Sequence, residues 1–418
     1  MSEASLSEGA EERERHAVLS LYVPALILGL GTSIAEPAVP IYARSFDVTF
    51  GVAALVLVAN GAGSAAATIP TGYLLDRFGR RKIVLAGPLL IALASFLVAS
   101  AQSFPELLIY RFLGGWALQM WILGRLAMIT DAGGGRRGRR ITGLYGMDST
   151  GRLLGPAVGG FAAAAWGIRV PFVLYGVLAL VAIIPSFKLI RETRPTTAPQ
   201  PAAGKMAGSA GALTAFLTWP ILVLFGIQLL ASLTRGSIWG GTLDLFVVYA
   251  YGIGPETLGL LVTATSAIGI PITFGVGHLM DRFGRKATLV PGLLLLGGGL
   301  ASMAAVAYLN LSLTSYMATL FLVRASLSMT SGSMQVLASD AAPAESRGRF
   351  LGVWRLIAEG GQVLSPLAFA GLADHVSFPA AFSFLAFTSL GAAFLLATGV
   401  RETARRVAEA PAPSGALR

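Results

Sequence analysis

GYLLDRFGRRK, Gly72–Lys82, returns as GHLMDRFGRKA at Gly277–Ala287, 205 positions further along a chain of 418 residues. Each copy has a glycine, an aspartate four residues on, then Arg-Phe-Gly-Arg. Each follows one long apolar run and precedes another. Self-similarity at half the chain length marks two structurally equivalent halves, and in an apolar chain paired halves point to a transporter. The glycines permit a tight turn between spans, and the aspartate is placed to cap or pair across its mouth.

Composition sets the solvent. Hydrophobic residues make up 55% of the chain and charged residues 12%, where a soluble domain carries about 25% charged residues. Mean hydropathy is +0.71. This is the profile of a polytopic, all-α membrane protein. The first residues, MSEASLSEGAEERERHAV, are too polar for a secretory signal, so the first apolar run is expected to be a retained span. Cysteine is absent, which excludes a disulfide framework, a thiolate metal site and a cysteine nucleophile. His16, His278 and His375 show no ligand spacing, so neither a metal nor another cofactor is expected. With no phosphate-cradling Gly-Lys loop and no nucleophile–base spacing, an enzyme is the least favoured class.

A span needs roughly 20 apolar residues to cross the hydrocarbon. Twelve are readable: about 17–42, 50–74, 83–102, 105–130, 140–165, 170–190, 216–250, 256–280, 288–308, 311–339, 349–373 and 378–399. The Pro-, Gly- and Ala-rich stretch PTTAPQPAAGKMAGSAGA reads as a linker. The expected organisation is a six-helix bundle over 1–194, a linker at 195–214 and a second six-helix bundle over 215–418. Of 31 basic residues, 23 fall on the side of the termini and linker. Only Arg44 and Arg169 fall opposite, and six lie inside spans. Cytoplasmic loops are enriched in Lys and Arg, so both termini and the linker are expected in the cytoplasm, with a bacterial inner membrane as the simplest setting. The net charge of +10 is therefore a topology signal and an attraction to anionic lipid, not a nucleic-acid footprint.

With these motifs in this order, the sequence resembles the major facilitator superfamily over almost its whole length. Gly72, Asp76, Arg77, Gly79 and Arg80 look like that family's loop between spans 2 and 3, and Gly277, Asp281, Arg282, Gly284 and Arg285 are its echo between spans 8 and 9. The resemblance implies a conformational latch at these loops, with Asp131 at the end of span 4 as a partner for Arg80. Tyr110-Arg111-Phe112-Leu113-Gly114-Gly115 in span 4 resembles the family's intramembrane arginine, which would control a nearby proton-binding carboxylate. In span 5, Gly151, Gly155, Pro156, Gly159 and Gly160 fit GxxxGPxxGG at every fixed position. Glycines four apart let another helix approach closely, and the proline bends the helix. This pattern resembles the antiporter signature of drug–proton exporters; in span 11 it is degraded to Gln362-Val-Leu-Ser365-Pro366. Pro37, Pro40 and Tyr42 in span 1 also resemble that branch, while Glu36 departs from it.

Acids within spans are few: Glu36, Asp148, Asp244 and Glu359. An intramembrane acid is a functional candidate by default, because burial disfavours its charged form and a neighbouring arginine restores it. Asp148–Arg152 and Arg355–Glu359 are each four apart and so share a helix face. Glu36 and Asp148 rank first as proton or cation sites, Glu359 next and Asp244 last. The expected substrate cavity takes Phe112, Trp116, Met120, Met147, Trp239, Tyr249, Met334 and Trp354, adaptable and aromatic faces suited to loosely specified lipophilic ligands. The favoured function is a proton-coupled antiporter, working as a monomer, that exports lipophilic or cationic drugs or amphipathic metabolites by alternating access. A proton-coupled symporter or facilitator for a sugar, organic acid or other nutrient shares the fold and the latch.

Overall fold

The computed structural model describes residues 18–131, 137–189, 218–330, 333–342 and 347–400. Among them every regular element is helical. After a π-helical turn at Val18–Tyr22 come α1 (Val23–Ala35), α2 (Ala38–Arg44), α3 (Phe50–Phe78), α4 (Arg80–Ser100), α5 (Phe104–Asp131), α6 (Arg137–Trp166) and α7 (Val170–Leu189). From residue 219 onward lie α8 (Trp219–Trp239), α9 (Thr242–Tyr251), α10 (Pro255–Phe283), α11 (Arg285–Tyr308), α12 (Leu313–Thr330), α13 (Ser333–Ala341), α14 (Arg347–His375) and α15 (Phe378–Gly399). These fifteen helices account for all twelve expected spans, because the first, seventh and tenth are each broken in two. Ten described helices are long and apolar enough to cross a membrane. Glycine-rich α6, with Asp148 and Arg152, and the divided α12–α13 fall outside that criterion.

The break in span 1 has a local cause. Pro37 has no N–H to give to the preceding turn, so α1 stops at Ala35 and Glu36 becomes its C-cap, with α2 starting at Ala38. The Glu36 side chain thus leaves the rod at a kink.

Two compact units emerge: residues 1–205 with 243–263, and 206–242 with 264–418. The expected boundary at 195–214 lies outside the described residues. That the first unit also takes in α9 follows from its packing. The Arg44 guanidinium donates to the Val248 carbonyl and lies 5.6 Å from the centre of the Tyr249 ring. The Tyr249 hydroxyl donates to the Val48 carbonyl at 2.9 Å.

Within each unit the same helix pairs recur. In the first, α1 packs on α6 and α7, and α4 on α5 and α7; in the second, α8 packs on α14 and α15, and α11 on α12 and α15. One apolar core in the first unit gathers around Leu28, Ile91, Trp121 and Leu144. Its counterpart in the second gathers around Ile227, Leu293, Phe350 and Trp354.

The repeated loops perform the same task twice. Gly79 (φ 87°, ψ 166°) and Gly284 (φ 96°, ψ 171°) join α3 to α4 and α10 to α11, in a backbone region open essentially to glycine alone. Two residues on, Arg81 donates to the Phe187 carbonyl at 3.4 Å, and Lys286 donates to the carbonyls of Ala397 and Val400. Each cation therefore seats on free carbonyls at the end of a later helix, α7 for Arg81 and α15 for Lys286, where a positive charge is favoured. Gly79→Ala is expected to cost about 1–3 kcal/mol of strain. A methyl at Gly72 meets nothing within 4 Å, so Gly72→Ala leaves thermal unfolding in detergent unchanged; equal melting of the two variants would contradict this.

Candidate functional site

The glycine signature of span 5, on α6, is a docking face. A methyl at Gly151 would fall on the Leu26 carbonyl, at Gly155 on Ser33 Oγ, at Gly159 on the Ile34 carbonyl. Reciprocally, a methyl at Gly29 would fall on the Asp148 carbonyl. The backbones of α1 and α6 are thus in direct contact along several turns. Gly160 and Pro156 point elsewhere, to the start of α10, where Gly160 meets the Pro255 carbonyl and Gly259 faces the Pro156 carbonyl.

This approach brings charges together. Arg152 Nε donates to Asp148 Oδ2 at 3.0 Å along one face of α6, and Arg152 Nη1 donates to Glu36 Oε1 at 3.2 Å across to the kink in span 1. On the other side of Asp148, Arg125 Nη1 of α5 stands 3.6 Å from Oδ1. The result is a chain Arg125–Asp148–Arg152–Glu36 over three helices. Its two ends differ in depth: Arg125 is 3% exposed and Asp148 18%, while Arg152 is 36% and Glu36 54% exposed. The inner pair is a buried ion pair and the outer one is open to screening.

Arg111 lies beyond Glu36. Its Nε is buried with no hydrogen bond among the described residues. Arg111, Glu36, Asn60, Tyr110, Tyr175 and Thr32 border a cavity of about 60 Å³ in the first unit, enough for a few water molecules at roughly 10–15 Å³ each. Thr32 donates to the Tyr175 hydroxyl at 2.9 Å on its wall. Beside it a polar ladder joins α3 to α5: Asn60 donates to the Arg111 carbonyl, Ser64 to the Gly115 carbonyl, and Gln119 to Thr68 Oγ1. These amides and hydroxyls hold helices together.

The remaining candidates are distributed otherwise. Arg355 and Glu359 bond to each other at 2.8 Å on a largely exposed face of α14. Asp244 sits in the first turn of α9, where a carboxylate suits the helix dipole. At the first loop Asp76 approaches Arg80 at 3.7 Å, and Arg80 donates to the Leu75 carbonyl. Arg77 and Arg282 rest against the rings of Phe78 and Phe283. The side chains of Asp131 and Asp281, and Gly277, lie outside the described residues. At the second loop Arg285 Nε donates to Asp340 Oδ2 at 2.9 Å, near the end of α13. Asp340 was not among the sequence candidates. It occupies, in the second half, the place the sequence assigns to Asp131 in the first.

The expected cavity residues divide. Phe112 and Trp116 lie together, ring centres 6.3 Å apart, and are partly exposed, as is Met147; Trp239 is 65% exposed. Tyr249 is tied to Val48 and Arg44 as described. Met120, Met334 and Trp354 are 5%, 2% and 2% exposed. Met120 packs on Leu75 and Ile83, and Trp354 stacks on Phe350 in the second core. Placed by composition on a cavity wall, these three are core residues.

Two units of membrane-length helices with the same internal packing, the first carrying a chain of four charged side chains, fit a membrane carrier. The family model described as Major Facilitator Superfamily matches residues 21–233 and, again, 224–417. The chain belongs to the major facilitator superfamily, which places it among membrane transporters rather than enzymes. It is 24% identical over 253 residues to the quinolone resistance protein NorA of Staphylococcus aureus strain MRSA252, covering 60% of this chain and 64% of that one. For NorA of strain N315 the figures are 26% over 181 residues, 43% and 46%. For multidrug resistance protein 1 of Bacillus subtilis strain 168 they are 27% over 280 residues, 66% and 68%. The matched stretch thus spans about half to two thirds of these relatives. The inward-open xylose transporter XylE of E. coli superposes with a TM-score of 0.71 at 17% identity, covering 93% of this chain and 96% of that one. A sulfate-bound peptide transporter POT does so with 0.71 at 15%, covering 91% and 93%. At these identities the likeness is one of fold.

Proposed function

We propose that this protein is a proton-coupled antiporter that exports lipophilic cations or related amphipathic compounds across the bacterial inner membrane, as a monomer with both termini in the cytoplasm. The observation that carries the reading is the chain Arg125–Asp148–Arg152–Glu36. A proton and a guanidinium compete for the same carboxylate oxygens. A proton is accepted when the pair parts and released when it closes, so any motion that separates α1 from α6 couples to proton uptake. The names of the NorA and Bacillus relatives support drug efflux as the transported class. The repeated loops serve in this reading as the latch that is remade each cycle.

In proteoliposomes with an imposed pH gradient, efflux of a lipophilic cation is expected to follow the gradient. Glu36→Gln is expected to abolish the gradient dependence while substrate exchange at equal pH continues. Indifference of the parent protein to the gradient overturns proton antiport. Accumulation of a polar nutrient that stops with an uncoupler supports the symporter reading instead.

A further inference from the structure

Every arginine of the charge chain in the first unit has a carboxylate within 4.0 Å. The second unit holds one that does not. Arg235 is the seventeenth of thirty-three residues from Trp219 to Tyr251, so it sits at mid-depth of the seventh span. Among the described residues it makes no ion pair, and its Nε is buried with no hydrogen-bond partner. Its one hydrogen bond among the described residues runs from Nη2 to the Thr330 carbonyl of α12 at 3.5 Å, the outer limit for such a bond. A guanidinium carries five N–H donors and stays charged in proteins. An unpaired one inside a membrane faces water or a ligand, and carries a cost otherwise.

Among the described residues, the carboxylates of this unit's spans do not supply a counter-ion. Glu359 is bound to Arg355, and Asp340 is bound to Arg285 at the cytoplasmic loop. The residue keeps some surface, so a ligand can reach it. One turn further along α8, Trp239 is 65% exposed, and residues four apart share a helix face. An uncompensated guanidinium and an open indole therefore stand one turn apart on the same face of α8.

We propose that Arg235 and Trp239 form an anion subsite that takes the carboxylate of an aryl-bearing amphiphile, so that the exported class includes carboxylates and zwitterions as well as cations. Its role in transport rests on the exporter reading above; the binding preference does not. The guanidinium meets the carboxylate through paired N–H···O bonds while the aromatic body lies on the indole.

The test uses the purified full chain and three probes: 1-pyrenebutyrate, its primary carboxamide and tetraphenylphosphonium. The parent protein is expected to bind the acid at least about tenfold more tightly than the amide, a step of about 1.4 kcal/mol. Arg235→Gln is expected to lose that preference and Arg235→Lys to keep part of it. Tetraphenylphosphonium binding unchanged in Arg235→Gln shows the variant folded. Equal affinity of the parent protein for acid and amide overturns the proposal, as does a preference that survives in Arg235→Gln. If that variant does not fold, the acid–amide comparison on the parent protein and on Arg235→Lys still decides. Acid preference without export of tetraphenylphosphonium counts against the exporter reading alone; export of it without acid preference counts against the subsite alone.

Discussion

Asp148→Asn is expected to abolish gradient-driven transport and to weaken the fold by about 3–5 kcal/mol, the cost of stranding a buried charge. Arg125 is 3% exposed, and its Nε and Nη1 have no hydrogen bond among the described residues. Asp148 at 3.6 Å is its counter-ion, so an amide in that place leaves a buried guanidinium uncompensated. Arg152 fares better, because Glu36 still accepts from it at 3.2 Å. Adding Arg125→Met removes the stranded charge. The double variant is therefore expected to recover most of the lost melting temperature but none of the gradient dependence, a non-additivity that separates the structural role from the coupling role. A single variant as stable as its parent would show that the inner pair is not structural. Gradient-driven transport intact in either variant would remove Asp148 from the coupling.

The sequence separation of the contacts accounts for what a linear reading revealed of this site and what it hid. Apolar runs and the repeated Gly-Asp-Arg-Phe-Gly-Arg loops are local, so the helical rods were legible. So was the Asp148–Arg152 pair, since four residues is one helical turn. The Glu36–Arg152 contact spans 116 positions, and Arg125 reaches Asp148 from a different helix; nothing in a linear reading pairs them. Arg355–Glu359 has the same spacing as the first pair, yet the structure puts it on an exposed face. Asp148 lies eight residues before Pro156, Glu359 seven before Pro366. One residue turns a helix by about 100°, enough to move a carboxylate off the packed face. Composition likewise could not tell which way Trp354 or Met334 points. Asp340 was recoverable by symmetry alone, since Arg285 repeats Arg80 and the expected partner of Arg80, Asp131, ends span 4 as Asp340 ends span 10.

Gly159→Ala is expected to cost about 1–3 kcal/mol by overpacking and, beyond that, to disconnect the charge chain. The added methyl would fall on the Ile34 carbonyl, two residues from Glu36, so α6 must withdraw from α1 where Arg152 reaches across. Gly155→Ala, against Ser33 Oγ, and Gly151→Ala, against the Leu26 carbonyl, are expected to act alike. Gly146 lies on the same helix with nothing within 4 Å of its added methyl. Gly146→Ala should be neutral or slightly stabilising, by about 0.5–1 kcal/mol. The second unit shows that the contact itself tolerates a polar substitute. Ser365 stands next to Pro366 as Gly155 stands next to Pro156, and its Oγ accepts from the Ser237 amide at 2.9 Å. Among the described residues the helices meet there without a charge chain, Gln362 taking the position of Arg152 relative to the proline. Close approach is thus common to both halves, while the ionic cargo on it belongs to the first. If the three variants lose stability yet retain full gradient dependence at a permissive temperature, the glycine face serves packing alone. Loss of gradient dependence in all three, with Gly146→Ala unaffected, ties the small-residue face to the positioning of Arg152 against Glu36.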